Sequence, residues 1–306
     1  MLKQLLSISP RRNGSFILIL IMLIASAAQA GLPTAFDWRV HFTLPPVRNQ
    51  QQCGSCWAIS AVDIVEVAIL IRLGETVDLS EQWLVSCTQG GNGCNGGVLA
   101  YALDSMKCSG STHADPCGGT GAVLEADFPY TASNAPCQCP YKHQYCVDSW
   151  SYVTGSNPTS SQLKQAIWDY GPIACHMDVY ADIYDYTSGI YTHVSGAYQG
   201  IKSMVIVGWG YDMGQEYWIV RNSWGASWAD NGYFKVAFGT CNIGSYAVYV
   251  GGVSKIEIGH YCGEPGQVYL SMDFDKDCYV GLSDLALFAA EWLKCTDLSN
   301  PACSWE

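Results

Sequence analysis

Val47-Arg48-Asn49-Gln50-Gln51-Gln52-Cys53-Gly54-Ser55-Cys56-Trp57-Ala58-Ile59-Ser60 is the stretch around which the whole chain reads. Its small-residue turn, Gly54-Ser55, stands just before a cysteine that opens an apolar, helix-like run from Trp57 to Leu73. A thiol so placed points at a helix N-terminus, where unpaired backbone N–H groups and the macrodipole favour the thiolate. That is how a sulfur nucleophile is made. Gln50, six residues earlier, offers a side-chain amide that can join the Cys56 N–H in holding a developing oxyanion.

Cys53-Gly54-Ser55-Cys56-Trp57 resembles the signature of papain-like cysteine peptidases, the papain and cathepsin family. The resemblance covers residues 32–252. Leu32-Pro33-Thr34-Ala35-Phe36-Asp37-Trp38-Arg39 is similar to the start of a mature enzyme, and Leu79 to Cys87, with Gly93-Cys94-Asn95-Gly96-Gly97, also matches. Tyr217-Trp218-Ile219-Val220-Arg221-Asn222-Ser223-Trp224-Gly225 resembles the family's Asn-Ser-Trp-Gly segment. The resemblance implies an α+β fold of two lobes, one helical and one an antiparallel β-barrel, with a peptide cleft between them. It implies that Cys53 pairs with Cys94 and Cys87 with a cysteine near Cys137. Asn222 would orient the catalytic base, and Trp224 would shield that hydrogen bond.

At 306 residues the chain is long enough for such a domain and a small annex. Residues 1–30 read as an export signal: Lys3, Arg11 and Arg12, an apolar run from Phe16 to Ile24, then Ala28-Gln29-Ala30 as a cleavage site. An uncleaved anchor is the alternative, although the run is short for a membrane span. The mature chain would begin near Gly31, which leaves no room for the inhibitory pro-segment usual in the family. Without the leader, 12 Lys and Arg face 27 Asp and Glu, a balance of −15. That balance argues against nucleic acid and anionic membranes as partners. All 15 cysteines follow the leader and so enter an oxidising compartment, and 14 remain to pair once Cys56 is set aside.

Ser80 is the expected N-cap of a short helix. Residues 105–146 read as an irregular loop held by disulfides rather than a metal site, since His113 and His143 lack a ligand spacing matched to the cysteines. Ser161 to Tyr170 is helical in pattern. Runs at 203–209, 217–221, 233–238 and 246–254 are rich in Val, Ile and Tyr and bounded by Gly or Asn, as barrel strands require.

A papain-like enzyme needs a histidine about 130–150 residues after the cysteine. Counting back from Val207-Gly208-Trp209-Gly210 places Lys202 there instead. An ammonium beside Cys56 still favours thiolate. As a base near its reference pKa of about 10.4, however, a lysine is neutral in only roughly one molecule in 2,500 at pH 7. Loss of the catalytic histidine from a serine protease costs about 10⁶ in rate, or about 8 kcal/mol of barrier. A Cys-Lys dyad stays open as an alternative. So do two displaced histidines, His176 on a pocket wall and His193, which needs a register shift. By resemblance, Gly96 and Gly97 bind an extended peptide through backbone groups. His176, Ser203, Met204 and Trp224 also border the ligand, and Tyr246 closes a pocket suited to an aromatic or apolar side chain.

Past residue 254, Asp273, Asp275, Asp277, Tyr279 and Asp284 follow the spacing of a calcium loop, and an amphipathic run from Leu285 to Leu293 follows. The segment 255–306 looks like half a dockerin repeat, although Cys278 replaces the loop glycine; a solvated acidic turn is the alternative. Cys262, Cys278, Cys295 and Cys303 could pair among themselves. Catalysis needs no cofactor, while Ca²⁺ and an extracellular surface partner belong to the annex. With 31–254 as the papain-like domain, three functions stay open: a secreted peptide-binding homologue with weak or lost proteolysis, an active cysteine peptidase using Cys56 with Lys202 or a displaced histidine, and a non-catalytic surface scaffold presented through the annex.

Overall fold

The computed structural model describes residues 31–113, 116, 119–256, 274 and 282–294. The expected leader falls outside them. The chain divides into two compact units, Met1–Ser254 and Lys255–Glu306.

From Gly31 the elements run β1 (Phe36–Asp37), α1 (Trp38–His41), α2 (Cys56–Leu73), α3 (Glu81–Cys87), α4 (Leu99–Ser105), β2 (Ala122–Val123) and β3 (His143–Tyr152). Then come α5 (Ser160–Tyr170), β4 (Ile173–Tyr180), β5 (Ile190–Tyr191), β6 (Tyr198–Asp212), β7 (Gln215–Arg221), β8 (Tyr233–Ala237) and β9 (Ser245–Lys255). Helix α2 is buried from Trp57 to Ile69 on every side, which is why it is apolar all round instead of striped. Gly74, with φ +72°, closes it in the left-handed conformation that a side chain disfavours. The Ser80 hydroxyl accepts the Trp83 N–H at 2.9 Å and caps α3, as its sequence position predicts.

The sheet runs in the order β2-β3-β9-β4-β6-β7-β8-β5, with β1 also on β6. The four Val, Ile and Tyr runs fall within β6 to β9, apart from one residue at the end of the third. The expected runs pair antiparallel, β6 with β7, β7 with β8 and β9 with β4; the short β5, outside those runs, pairs with β8 in parallel, Ile190 opposite Lys235. Strand β6 separates two cores because side chains alternate along a strand. Val205 and Val207 join α2, α3 and α4 in one cluster, while Met204 and Ile206 join α5, β4 and β7 in the other. The β4–β6 register sets Met177 opposite Lys202 and His176 opposite Ser203.

Disulfides join Cys53–Cys94, Cys87–Cys137 and Cys108–Cys146, the first two as the resemblance implies. The expectation that every cysteine but Cys56 can pair fails for Cys175 and Cys241, which are free thiols. Cys175 points into the second core, where burial pushes its pKa up to about 12. In the second unit, α6 (Leu282–Lys294) follows the expected loop. Asp284, in its first turn, is 1% exposed and accepts the Phe274 N–H at 2.6 Å. Asp273, Asp275, Asp277 and Tyr279 lie outside the described residues, as do Cys262, Cys278, Cys295 and Cys303.

Cys53–Cys94 spans 41 residues of sequence and anchors the turn before Cys56. A double Cys53→Ser, Cys94→Ser variant is expected to lose about 4 kcal/mol of stability by loop entropy, read as a lowered denaturant midpoint.

Candidate active site

The nucleophile turn is built by close approach. Gly54 donates its N–H to Cys94 O at 2.8 Å, and a Cβ on Gly54 would stand 2.5 Å from that oxygen, so only glycine fits. Cys56 then begins α2 at the cleft, partly exposed. Its sulfur accepts the Ser203 N–H at 3.5 Å, the one hydrogen bond recorded for it among the described residues.

The segment before the turn is zipped to the segment after β7. Gln50 N donates to Ser223 O at 2.9 Å, Gly225 N donates to Arg48 O at 3.0 Å, and Asn49 bridges Trp224. Those bonds bring Gln50, Asn222, Ser223 and Trp224 to the part of β6 where Lys202 stands. Lys202 Nζ donates to Gln50 Oε1 and, at 2.9 Å, to Ser223 Oγ; Ser223 Oγ in turn donates to Gln50 Oε1 at 2.7 Å. One Gln50 Nε2–H goes to Cys53 O at 2.8 Å. The ammonium also lies 5.3 Å from the centre of the Trp224 ring, within cation–π range.

Lys202 is 7% exposed. Burial pulls its pKa down to about 8, against an opposing attraction from the Cys56 sulfur. That changes the arithmetic of the sequence reading: at pH 7 roughly one molecule in ten carries the neutral amine.

Asn222 is buried at 2% exposure. Its Oδ1 accepts the Ser223 N–H at 2.8 Å, and its Nδ2 has no partner among the described residues. Leaving a buried amide unpaired costs about 1–3 kcal/mol and calls for an explanation. Among the described residues no histidine bonds Cys56. His193 Nδ1 bonds Asp182 at 3.1 Å, and its ring stacks on Tyr180 at 3.8 Å. His113 bonds Asp104, His143 bonds Gly121 O, and His41 stacks on Phe36. His260 lies outside the described residues.

His176 lines a pocket of about 200 Å³ with Val98, Leu99, Ala100, Tyr152 and Tyr246. Its ring centre is 5.6 Å from that of Tyr246, and burial lowers its pKa by disfavouring the charged form. Met204 does not belong to that wall. It is fully buried in the second core, because the strand alternation that sends Ser203 toward the cleft turns Met204 away. Gly97 is exposed, and a Cβ there would lie 2.3 Å from the Trp57 indole. Gly96 N–H and C=O are already taken by Gly93 O and Asn92 N. Ser223, given no role in the sequence reading, proves to be the partner of both Gln50 and Lys202; its signal was a hydroxyl directly after Asn222. The pocket residues Val98 to Ala100 were signalled by their place directly after Gly96-Gly97.

The family profile described as papain family cysteine protease matches residues 32–251. Rat procathepsin L is 34% identical over 214 residues, covering 67% of this chain and 60% of its own length. The probable cysteine protease RD21C of Arabidopsis thaliana is 36% identical over 227 residues, covering 71% and 48%. The chain thus spans about half to three-fifths of the length of these two relatives. Among solved structures, bromelain from Ananas comosus with the E64 inhibitor aligns at TM-score 0.61 and 29% identity, covering 72% of this chain and 99% of that one. Digestive procathepsin L2 from Tenebrio molitor aligns at 0.64 and 30%, covering 73% and 69%. The nucleophile turn, the two cores and the cleft residues thus occur in a chain that belongs to the papain family of cysteine proteases.

Proposed function

We propose that this is a secreted papain-family protein that binds extended peptides in its cleft and hydrolyses them slowly or not at all. The observation that carries the reading is at Lys202: no described histidine bonds Cys56, and the amine in its place is committed to Gln50 and Ser223. Cys56 is the nucleophile, Gln50 and the Cys56 N–H are the oxyanion donors, and Asn222 is the orienting amide of a base that is no longer imidazole. With one Gln50 N–H already spent on Cys53 O, one remains for the oxyanion. Gly97, Ser203 and Trp224 border the ligand, and the His176–Tyr246 pocket takes an aromatic or apolar side chain.

A second reading has an observation of its own. The lowered pKa of Lys202 makes it a stronger candidate base than an ordinary lysine, which favours a slow Cys56–Lys202 peptidase. In the C-terminal unit, the position-12 carboxylate, Asp284, folds back onto the N–H of Phe274, between Asp273 and Asp275. That geometry fits a Ca²⁺ loop using Asp273, Asp275, Asp277, the Tyr279 carbonyl and Asp284. Such a loop would present the protein to an extracellular surface partner.

Three outcomes are expected. Lys202→His raises kcat/KM on peptide amides more than about tenfold, and wild-type turnover within tenfold of that variant refutes the loss of efficient proteolysis. Lys202→Met removes a buried charge and so changes the pH dependence of stability. Because the folded pKa of Lys202 is lowered from 10.5 to about 8, the stability it contributes grows as pH rises across that interval and is lost as pH falls through about 8. The melting temperature of wild type relative to Lys202→Met should therefore rise between those pH values. Calorimetric titration of the full chain with Ca²⁺ should give one site that Asp284→Asn weakens; no heat at millimolar Ca²⁺ removes the loop from the proposal.

A further inference from the structure

We propose that Cys56 and Lys202 act in sequence as a single-turnover acyl trap, in which the sulfur takes the acyl group of a bound peptide and passes it to Lys202 Nζ as a stable amide. The inference rests on the reading of Cys56 as nucleophile and of hydrolysis as slow. It goes beyond that reading by giving the acyl group a destination on the chain itself.

The two groups are joined through a short, ordered path. Ser203, next to Lys202 on β6, brings its N–H to 3.5 Å from the Cys56 sulfur. From the other side Gln50 holds Cys53 O with its nitrogen and the lysine ammonium with its oxygen. Histidine at this position would activate water for the second half of the reaction, and its ring would be left unchanged. An amine differs in kind, because once neutral it is itself a nucleophile toward a thioester. Lys202 is buried beneath Trp224, which disfavours water and favours the group already fixed in place. Its four-carbon stem supplies the rotations needed to swing from Gln50 and Ser223 to the acyl carbon.

The steps balance. The Cys56 thiolate attacks the peptide carbonyl; a C–S bond forms, the C–N bond breaks, and the departing amine takes its proton from the Lys202 ammonium. That same transfer leaves Lys202 neutral beside the thioester. Its nitrogen then attacks the acyl carbon; a C–N bond forms, the C–S bond breaks, and the sulfur leaves with the electron pair and takes up the surplus proton. One peptide bond is exchanged for one amide on Lys202, with no water, oxidant or reductant consumed. The depressed pKa of Lys202 supports both roles, since about half of the amine is neutral at pH 8.

The test uses the full chain at pH 8 with benzyloxycarbonyl-phenylalanine p-nitrophenyl ester as probe. Its aromatic group suits the His176–Tyr246 pocket, and its leaving group needs no proton. The expected result is one equivalent of nitrophenolate and one acyl group per chain. That acyl group should resist hydroxylamine and map to Lys202 by peptide mass analysis. Lys202→Arg should instead hold the acyl group on Cys56 in a hydroxylamine-labile form, and Cys56→Ala should leave Lys202 unmodified. One equivalent with a hydroxylamine-labile adduct on wild type overturns the transfer and leaves the slow-hydrolysis reading intact. Many equivalents without an adduct overturn that reading itself. Equal acylation of Lys202 in Cys56→Ala overturns the sequence of the two steps. Wild-type mass and hydroxylamine data decide the matter even where a variant fails to fold.

Discussion

Helix α2 carries two acids into the interior, and the way they are answered sets the cleft. Asp63 Oδ1 meets Arg221 Nη2 at 2.8 Å, and Glu66 Oε1 meets Arg48 Nη2 at 3.4 Å. Arg221 directly precedes Asn222, Arg48 stands two residues before Gln50, and Cys56 is the first residue of the helix itself. One buried pair and one with a partly exposed arginine therefore tie Cys56, Gln50 and Asn222 to a single helix. Removing one partner of such a pair strands the other and costs about 3–5 kcal/mol, so cleft geometry and stability are hard to separate here. Burial outweighs Arg48 at Glu66 and Glu81 alike, lifting Glu66 well above the ordinary carboxyl range and Glu81 to about 8. Arg48 also meets Asp78, and the acids around it hold its pKa above the ordinary guanidinium value despite burial.

Within β6 the chemical type of residue 202 decides which groups it can engage. An imidazole there would accept and donate in a single plane and give Asn222 a ring nitrogen to orient. The ammonium of Lys202 only donates, so it turns toward the two oxygens within reach, those of Gln50 and Ser223. The Asn222 carboxamide nitrogen has no partner among the described residues. Unpaired groups of this kind tend to persist where a site was shaped for something else.

Much of this was legible beforehand because it is local. The turn before Cys56, the Ser80 cap, the four strand runs and the absence of histidine at position 202 all follow from nearest neighbours and counting. What escaped depends on long-range register. Met204 reads as a cleft residue by proximity to Lys202, yet it faces away from Ser203 and is buried in the core shared with α5, β4 and β7. The grip of Lys202 on Gln50 joins residues 152 positions apart and has no counterpart in any sequence pattern. The same is true of the desolvation that brings its amine close to neutrality. The parallel pairing of β5 with β8 went unseen because a two-residue strand leaves no periodicity to read. The free thiols Cys175 and Cys241 escaped because an even count says only that pairing is arithmetically open.

The three described disulfides all lie between Cys53 and Cys146, on the helical side, while the strands from β4 onward hold only unbridged thiols among the described residues. A change in thiol poise would thus slacken one bank of the groove and spare its opposite. The bank that yields is the one bearing Gly97, over which a peptide would lie, whereas the one that stands carries Lys202 and Asn222. Reduction would therefore act on the two walls unequally.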